Sequence, residues 1–515
     1  MAKRLIVCCD GTWQNSVDNY VKASSTNPVP RLAPPSNATR ISRSFARTCS
    51  DGMFQIIYYQ VGVGSGSGIA GIVPRILGGA FGVGIAENIR EAYSYICANY
   101  VDGDEIVLLG FSRGAFTARS IAGMIANLGL LTRQGMDCFY PIFKDNQNFM
   151  NYDYDDPFPN LPFPQKPKGD GAVDEYRNRL VELGYTRVCQ NGGKGDLIKI
   201  KAVGVWDTVG SLGIPTVPFL EKLGITRSTV EFQWYNTDLS TKIEHAFQAL
   251  ALDEVRGPFS PAVWERNAGH EDIIDLRQVW FPGGHSNIGG GEQDQGIANI
   301  TLAWMMDQLA SIGLEFIPNA LNRVYGTNVE YYQQKQYPDN WATEPIVKAN
   351  TPIRPWSLHE TAQDKSALYK VTLSAPRTPG LYKKVEPATG KATLTFLTDT
   401  NERIHRSVRV RLACEGLAPG DEGGWKCPSL LTHWRPHKAQ ASDGASDEAS
   451  CWVWTYHGSD AEAPKTKTMM EETLGPYEQD LLNMSAGKPS VLQFAEGFDF
   501  TDYDWPKPSR LPWKK

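Results

Sequence analysis

Glu105-Ile-Val-Leu-Leu-Gly-Phe-Ser-Arg-Gly-Ala-Phe-Thr-Ala-Arg119 is the stretch that decides the fold. It opens as an apolar run of strand length. It leaves as a helical pattern, with Ala115, Ala118, Ile121, Ala122, Ile125 and Leu128 on one face and Gly129 placed to stop it. Between the two lies Gly110-Phe111-Ser112-Arg113-Gly114, a G-x-S-x-G at a strand-to-helix turn. A serine there holds its hydroxyl clear of the sheet, and small residues two positions either side let strand and helix cross closely. The turn also aims the Arg113 N–H and the helix N-terminus at the space where a tetrahedral oxyanion forms. Five residues match by chance; strand, elbow and helix together do not.

Outward from the elbow, buried strands are predicted at residues 5–9, 55–60, 198–206 and 276–281, besides 106–109. Helices are predicted near 40–48, over 85–100 (Ile85, Ile89, Ala92, Tyr93 and Ile96 on one face), and over 115–128, 243–252 and 297–313. Strands alternating with helices indicate an α/β fold with a mostly parallel sheet covered on both faces. Residues 133–196 lack a strong period and read as a cap or insertion, giving a catalytic domain over 1–325. Residues 326–515 are short, aromatic-rich and proline-rich, an irregular extension packed on that domain with a disordered loop at 437–450.

An alkoxide nucleophile needs a base within reach, and the base needs an orienting carboxylate. In a parallel sheet these groups sit at the carboxyl ends of strands. Three strand ends qualify: Ser112, Asp207 in Val205-Trp-Asp-Thr-Val209, and His285 in Gly283-Gly-His-Ser-Asn-Ile-Gly289. Their order, Ser then Asp then His, is that of an α/β-hydrolase. Asp253 is the rival acid and Asp275 a weaker one. A second oxyanion donor is expected from Asp10-Gly11-Thr12, where Gly11 lets backbone approach the substrate; the Asp10 carboxylate itself would bond loop amides or Arg113. This chemistry needs no metal and no cofactor.

Composition narrows the partners. The 515 residues carry 51 Lys and Arg against 57 Asp and Glu, a net charge of −6 that gives no electrostatic reason for nucleic-acid binding. Nine cysteines without regular spacing, two of them adjacent in a buried strand, argue for reduced thiols. The apolar run 5–9 is too short for a signal peptide, and the most apolar long stretch, 67–86, carries Pro74, Arg75 and six glycines. A cytoplasmic protein without a transmembrane segment is expected, compatible with peripheral membrane contact. Gly62-Val-Gly-Ser-Gly-Ser-Gly68 lacks the lysine of a phosphate loop and reads as an active-site loop or lid. The acidic run 153–156 lacks a calcium ligand loop and reads as solvated surface.

With these residues assembled, the chain resembles the α/β-hydrolase-like family that includes the type VI secretion phospholipase effectors and has fungal members. The matching pieces are Cys9-Asp-Gly-Thr-Trp13, Tyr59-Gln-Val-Gly-Val-Gly64, Gly110-Phe-Ser-Arg-Gly-Ala115, Val205-Trp-Asp-Thr-Val209, Ala249-Leu-Ala-Leu-Asp253 and Phe281-Pro-Gly-Gly-His-Ser286. Further on, Ile404-His-Arg-Ser-Val408 is the best remnant. The resemblance implies a Ser–Asp–His hydrolase and lipid ester hydrolysis, with Ser112, His285 and Asp207 carried over. One departure stands out: the family reads His-Ser-Asp where this chain has Asn287. The expectation is a serine ester hydrolase acting on lipid or phospholipid esters. A thioesterase or peptidase would use the same triad, and a binding or scaffold protein would keep the fold without turnover.

Overall fold

A computed structural model describes residues 2–11, 20–21, 30–62, 80–209, 238–256, 259–326, 376–385, 392–413, 425, 427–439, 451–459, 464, 467–484, 488–501, 503 and 505. The chain divides into two compact units. Unit 1 comprises Met1–Phe247, Arg266–Leu276 and Lys384–Leu394; unit 2 comprises Gln248–Glu265, Arg277–Lys383 and Thr395–Lys515.

Unit 1 alternates strands and helices: β1 (Lys3–Cys9), α1 (Asn37–Ser42), β2 (Phe54–Gln60), α2 (Ala80–Asn99), β3 (Glu105–Phe111), α3 (Arg113–Leu128), α4 (Phe139–Gln147), α5 (Ala172–Glu182) and β4 (Ile200–Trp206). The four strands are parallel in the order β2-β1-β3-β4. β1 and β3 are buried at every position after the first. Burial on both faces of a strand is what helices covering a parallel sheet produce. α3 packs on β1, β3 and β4, and α1 packs on β1, β2 and β3. The helix predicted near 40–48 is α1, which starts earlier and ends at Ser42. Ser36 is its N-cap and accepts from the Thr39 N–H at 3.2 Å, the cap signal that fixes the true start.

The insertion at 133–196 is helical and packs on α3 through α4 and α5. Its own polar centre is Asp145, which accepts from Tyr176 Oη (2.6 Å) and Lys166 Nζ (3.0 Å). Lys166 also reaches Asp156 of the acidic run at 2.7 Å, so this carboxylate is paired, while Asp153 and Asp155 are exposed.

One predicted element is overturned. The helix predicted over 243–252 is instead a strand, β5 (Ile243–Ala251). Ala246, Phe247, Ala249 and Leu250 mimic helical spacing, but every residue from 246 to 251 is buried. Consecutive burial suits a strand covered on both faces; a one-sided helix buries a stripe. In so short an apolar run, period alone cannot separate the two.

In unit 2, β6 (Asp275–Phe281), which begins in unit 1, leads to α6 (His285–Gly289) and α7 (Gly296–Ser311). The C-terminal residues supply β7 (Glu402–His405), α8 (Arg406–Ala413), β8 (Trp434–Lys438), β9 (Trp452–Tyr456), β10 (Thr468–Glu472), α9 (Pro476–Met484) and α10 (Lys488–Gly497). Their order is β6-β7-β10-β9-β8: β6, β7 and β10 run parallel, β9 pairs antiparallel with β10, and β8 pairs antiparallel with β9. Of the loop predicted at 437–450, His437 and Lys438 are strand, and 440–450 lie outside the described residues. His405 ends β7 wholly buried. Its Nδ1 accepts from the Ser407 N–H (3.1 Å), and its Nε2 meets Glu478 Oε1 of α9 at 2.7 Å.

Among the described residues, no helix is long and apolar enough to cross a membrane. None of their His, Cys, Asp and Glu side chains gather in threes that could hold a metal ion. The eight described cysteines are free thiols.

α9 is seated on α7 by a carboxylate. Asp307 Oδ1 accepts from the Tyr477 N–H (2.8 Å) and Oδ2 from the Glu478 N–H (3.0 Å), and a Cβ at Gly475 would meet Asp307 Cγ at 2.3 Å. Burial, then the Glu478 carboxyl, push the Asp307 carboxyl up to about 7. The folded protein therefore holds this proton more tightly than the unfolded chain, whose Asp titrates near 4. The resulting stability is complete below pH 4 and is lost as pH rises through 7, by at most ~1.4 kcal/mol per pH unit. Thermal melts from pH 5 to pH 8 should show Asp307→Asn losing less stability across that range than wild type.

Candidate active site

The elbow is built by close approach. β3 and α3 cross where Gly110 would carry a Cβ 2.4 Å from Gly114 O, and Gly114 a Cβ 2.1 Å from Cys9 O. No side chain fits at either position, so both must be glycine. The turn between them forces Ser112 to φ 57°, ψ −119°, a backbone conformation costly for any residue but glycine. Its N–H donates to Trp206 O at 3.1 Å, its C=O accepts the first helical bond from Phe116 N–H, and its side chain does not cap the helix. Arg113 is the first helical residue, so its backbone lies at the positive end of the helix dipole. Burial pulls its guanidinium down to about 10.

Asp207 leaves β4 beside it. Phe111 pairs with Trp206 in the parallel register, so Ser112 and Asp207 are the exit residues of neighbouring strands. Asp207 is fully buried and also has positive φ, 42°. Strained backbone at two adjacent strand ends is the pattern of a functional site.

Gly11 sits on the other side. A Cβ there would stand 3.1 Å from Phe111 Cδ1 and 3.4 Å from Ser112 Cβ, so the β1 exit touches the elbow. Asp10 holds that exit in place. Its carboxylate accepts from Gly11 N–H (2.7 Å), Ser36 Oγ (2.6 Å), Thr39 Oγ1 (2.6 Å) and Tyr59 Oη (2.6 Å). The predicted bond to a loop amide is present, and the carboxylate is saturated by hydroxyls. Ser36, Thr39 and Tyr59 were missed by sequence reasoning; the cap position of Ser36 and the strand end at Tyr59 were the available signals. Thr12 and residues 63–68 of the glycine-rich loop lie outside the described residues.

Unit 2 presents His285 on a clamped loop. It is the first residue of α6, after Gly283 at φ 103°. Asp253 secures that loop: its N–H donates to Gly283 O (3.0 Å), while Oδ2 accepts from Gly283 N–H (2.6 Å) and Oδ1 from Trp425 Nε1 (3.0 Å). Asn287 Oδ1 accepts from the Gly284 N–H at 2.9 Å, the half of a capping box that a glycine N-cap allows. An aspartate could accept the same bond, so the departure from the family pattern keeps the loop's geometry. Phe259 packs edge-on against the His285 ring, centroids 5.0 Å apart. Glu254, also missed from sequence, stands beside it and accepts from the His285 N–H (3.4 Å). Burial raises the Glu254 carboxyl, but the Arg256 fork and the His285 charge outweigh it and hold the group below its ordinary range. Asp275, in unit 1, meets His245 Nδ1 at 3.3 Å.

A family model described as T6SS, phospholipase effector Tle1-like, catalytic domain matches residues 3–308. The chain is 27% identical over 268 residues to uncharacterized protein YEL023C of Saccharomyces cerevisiae, a match covering 50% of this chain and 32% of the yeast protein. The chain thus spans about a third of that relative's length. Among solved structures it is similar to the Tle1 effector bound to the VgrG spike of the type 6 secretion system, at 16% identity and TM-score 0.34 over 76% of this chain and 88% of that one. It is also similar to an uncharacterized protein from Pseudomonas aeruginosa, at 14% identity and TM-score 0.31 over 74% of this chain and 57% of that one. The chain belongs to the Tle1-like phospholipase effector catalytic-domain family.

Proposed function

We propose that the protein hydrolyses carboxylic esters of lipids through an acyl-enzyme on Ser112. The observation that carries the reading is the Ser112 backbone, strained at φ 57° between two glycines that admit no side chain. Strain of this kind persists only where surrounding structure over-determines it, and it holds the hydroxyl at the head of a helix dipole. Family membership supports a lipid ester as substrate.

In the mechanism, His285 takes the proton from Ser112 Oγ as the oxygen attacks the ester carbonyl, then delivers it to the leaving alcohol. The Arg113 N–H and the Gly11 backbone stabilise the oxyanion; Thr12 is the further donor candidate. Water deacylates the enzyme by the same route in reverse order. Asp207 orients the imidazole and stabilises its cation. Its burial and strained backbone at the strand end next to Ser112 favour it over Asp253, whose two oxygens accept from Gly283 and Trp425. Glu254 adds negative charge beside the imidazolium.

A fluorophosphonate probe should label wild type at Ser112 and leave Ser112→Ala unlabelled. Turnover of phospholipid and lysophospholipid esters should fall by roughly four orders of magnitude in that variant. Full activity in Ser112→Ala would sink the reading. The acid is assigned by a pair of variants: Asp207→Asn should cut kcat by roughly two to four orders of magnitude at unchanged melting temperature. Asp253→Asn should act mainly on the melting temperature, by loosening the Gly283 loop. The reverse ranking in kcat would move the acid to Asp253.

A further inference from the structure

The loop that carries His285 has little in its own sequence to hold it. Pro282-Gly283-Gly284 leads into α6, and its two glycines leave the backbone without side chains to fix its path. Gly283 stands at φ 103°, and α6 is only five residues long, too short to be stable by its own hydrogen bonds. The place of the His285 ring is therefore set by what packs around it. Two arms of contacts reach it, and each begins beyond residue 308, where the family match ends. Every residue in them belongs to unit 2.

The first arm starts at Trp425. Its Nε1 donates to Asp253 Oδ1 at 3.0 Å, while Asp253 Oδ2 accepts from the Gly283 N–H at 2.6 Å. A carboxyl group bonded through one oxygen can turn about its broad Cβ–Cγ torsion; bonded through both, it is fixed. Trp425 is held in turn. The wholly buried Arg411 of α8 places its guanidinium 5.3 Å from the Trp425 ring centroid. Ser429 Oγ donates to Leu252 O at 2.7 Å, which pins the segment carrying Trp425 beside the residue it bonds.

The second arm starts at Arg377, which is buried and donates from Nη2 to Phe259 O at 2.6 Å. The Phe259 ring meets the His285 ring edge-on, at 80° and 5.0 Å between centroids. Arg256, its fork taken up by the Glu254 carboxylate, lies 3.6 Å from the Phe259 ring centroid. The aromatic ring is thus held at its backbone and over its face, and its edge limits the tilt of the imidazole.

We infer that Trp425 and Arg377 are positioning residues for the His285 imidazole, Trp425 through the Asp253 clamp and Arg377 through Phe259. The inference rests on the proposed role of His285 as the base that activates Ser112. A general base works only within hydrogen-bond reach of the proton it takes, and a misplacement of about 1 Å costs up to roughly a hundredfold. Residues after 308 thereby contribute to the hydrolytic site from outside the matched domain.

The test uses the full chain. It reads the rate at which a fluorophosphonate labels Ser112, with kcat and KM on a phospholipid ester, well below each variant's melting transition. Trp425→Phe keeps an aromatic ring and removes the donor to Asp253; Arg377→Met removes the donor to Phe259. Each should lower the labelling rate and kcat by about tenfold and leave KM unchanged. Arg377→Lys, which keeps a donor, should recover most of the loss. In a His285→Ala background neither substitution should slow labelling further, because no imidazole is left to position. If Arg377→Met does not fold, Trp425→Phe with and without His285→Ala decides the outcome. A loss that persists in that background overturns the inference, as does a rise in KM at unchanged kcat. Wild-type Ser112 that takes no label defeats the hydrolase reading and the inference with it. Labelling that slows in His285→Ala but not in the Trp425 and Arg377 variants overturns the inference alone.

Discussion

The contact between Gly114 and the Cys9 carbonyl sets the rest of unit 1. A Cβ at Gly114 would come within 2.1 Å of that oxygen, so helix α3 can cross strand β1 at this depth only because nothing projects from it. The depth of the crossing dictates the tightness of the turn, and the turn dictates the backbone of Ser112. Strand burial, helix position and the Ser112 backbone geometry are one constraint seen at three scales. The Ser112 N–H bond to Trp206 O ties the strained residue to the next strand, so the parallel ladder resists the strain locally.

Around this point the protein uses buried polar groups as fasteners. Asp10 is the clearest: four donors from a loop amide, α1, its cap and β2 converge on one carboxylate and bring three elements to the same strand end. Such a group is stable inside a protein only when fully satisfied, which makes it specific as well as strong. Unit 2 repeats the device. Asp253 clamps the His285 loop, Asp307 seats α9, and Glu471 holds the buried Arg409 through two bonds. The loops that carry the candidate site residues are thereby fixed by side chains, not by regular backbone pairing alone.

The sheet of unit 1 and the elbow were legible because their signals are local. β1, β3 and β4 each hold a continuous apolar run (5–9, 106–111 and 202–206), and the elbow's glycines, serine and following helix occupy fixed offsets. β5 was misread because Ala, Phe and Leu at mixed spacing satisfy both periods over nine residues. The late strands were invisible for another reason. They are four or five residues long and carry Glu402, Glu471 and Glu472 in buried positions, which reads as surface. Those carboxylates are tolerated because Trp280 Nε1, Arg409 and Arg403 reach them from 62 to 122 residues away.

The α/β class, the G-x-S-x-G elbow and the order in which the candidate acid and base follow it were readable from the chain alone. Those properties depend on residue type at short separations, where sterics and periodicity leave few alternatives. The tertiary structure alone decided which polar side chains saturate Asp10, that β5 is extended, and that the C-terminal residues build strands beside β7. It also decided that Asn287 caps its own helix and that Trp425 and Arg377 reach Asp253 and Phe259. Each of these depends on partners far apart in the chain, and a polar or ambiguous residue has no fixed role until folding supplies them.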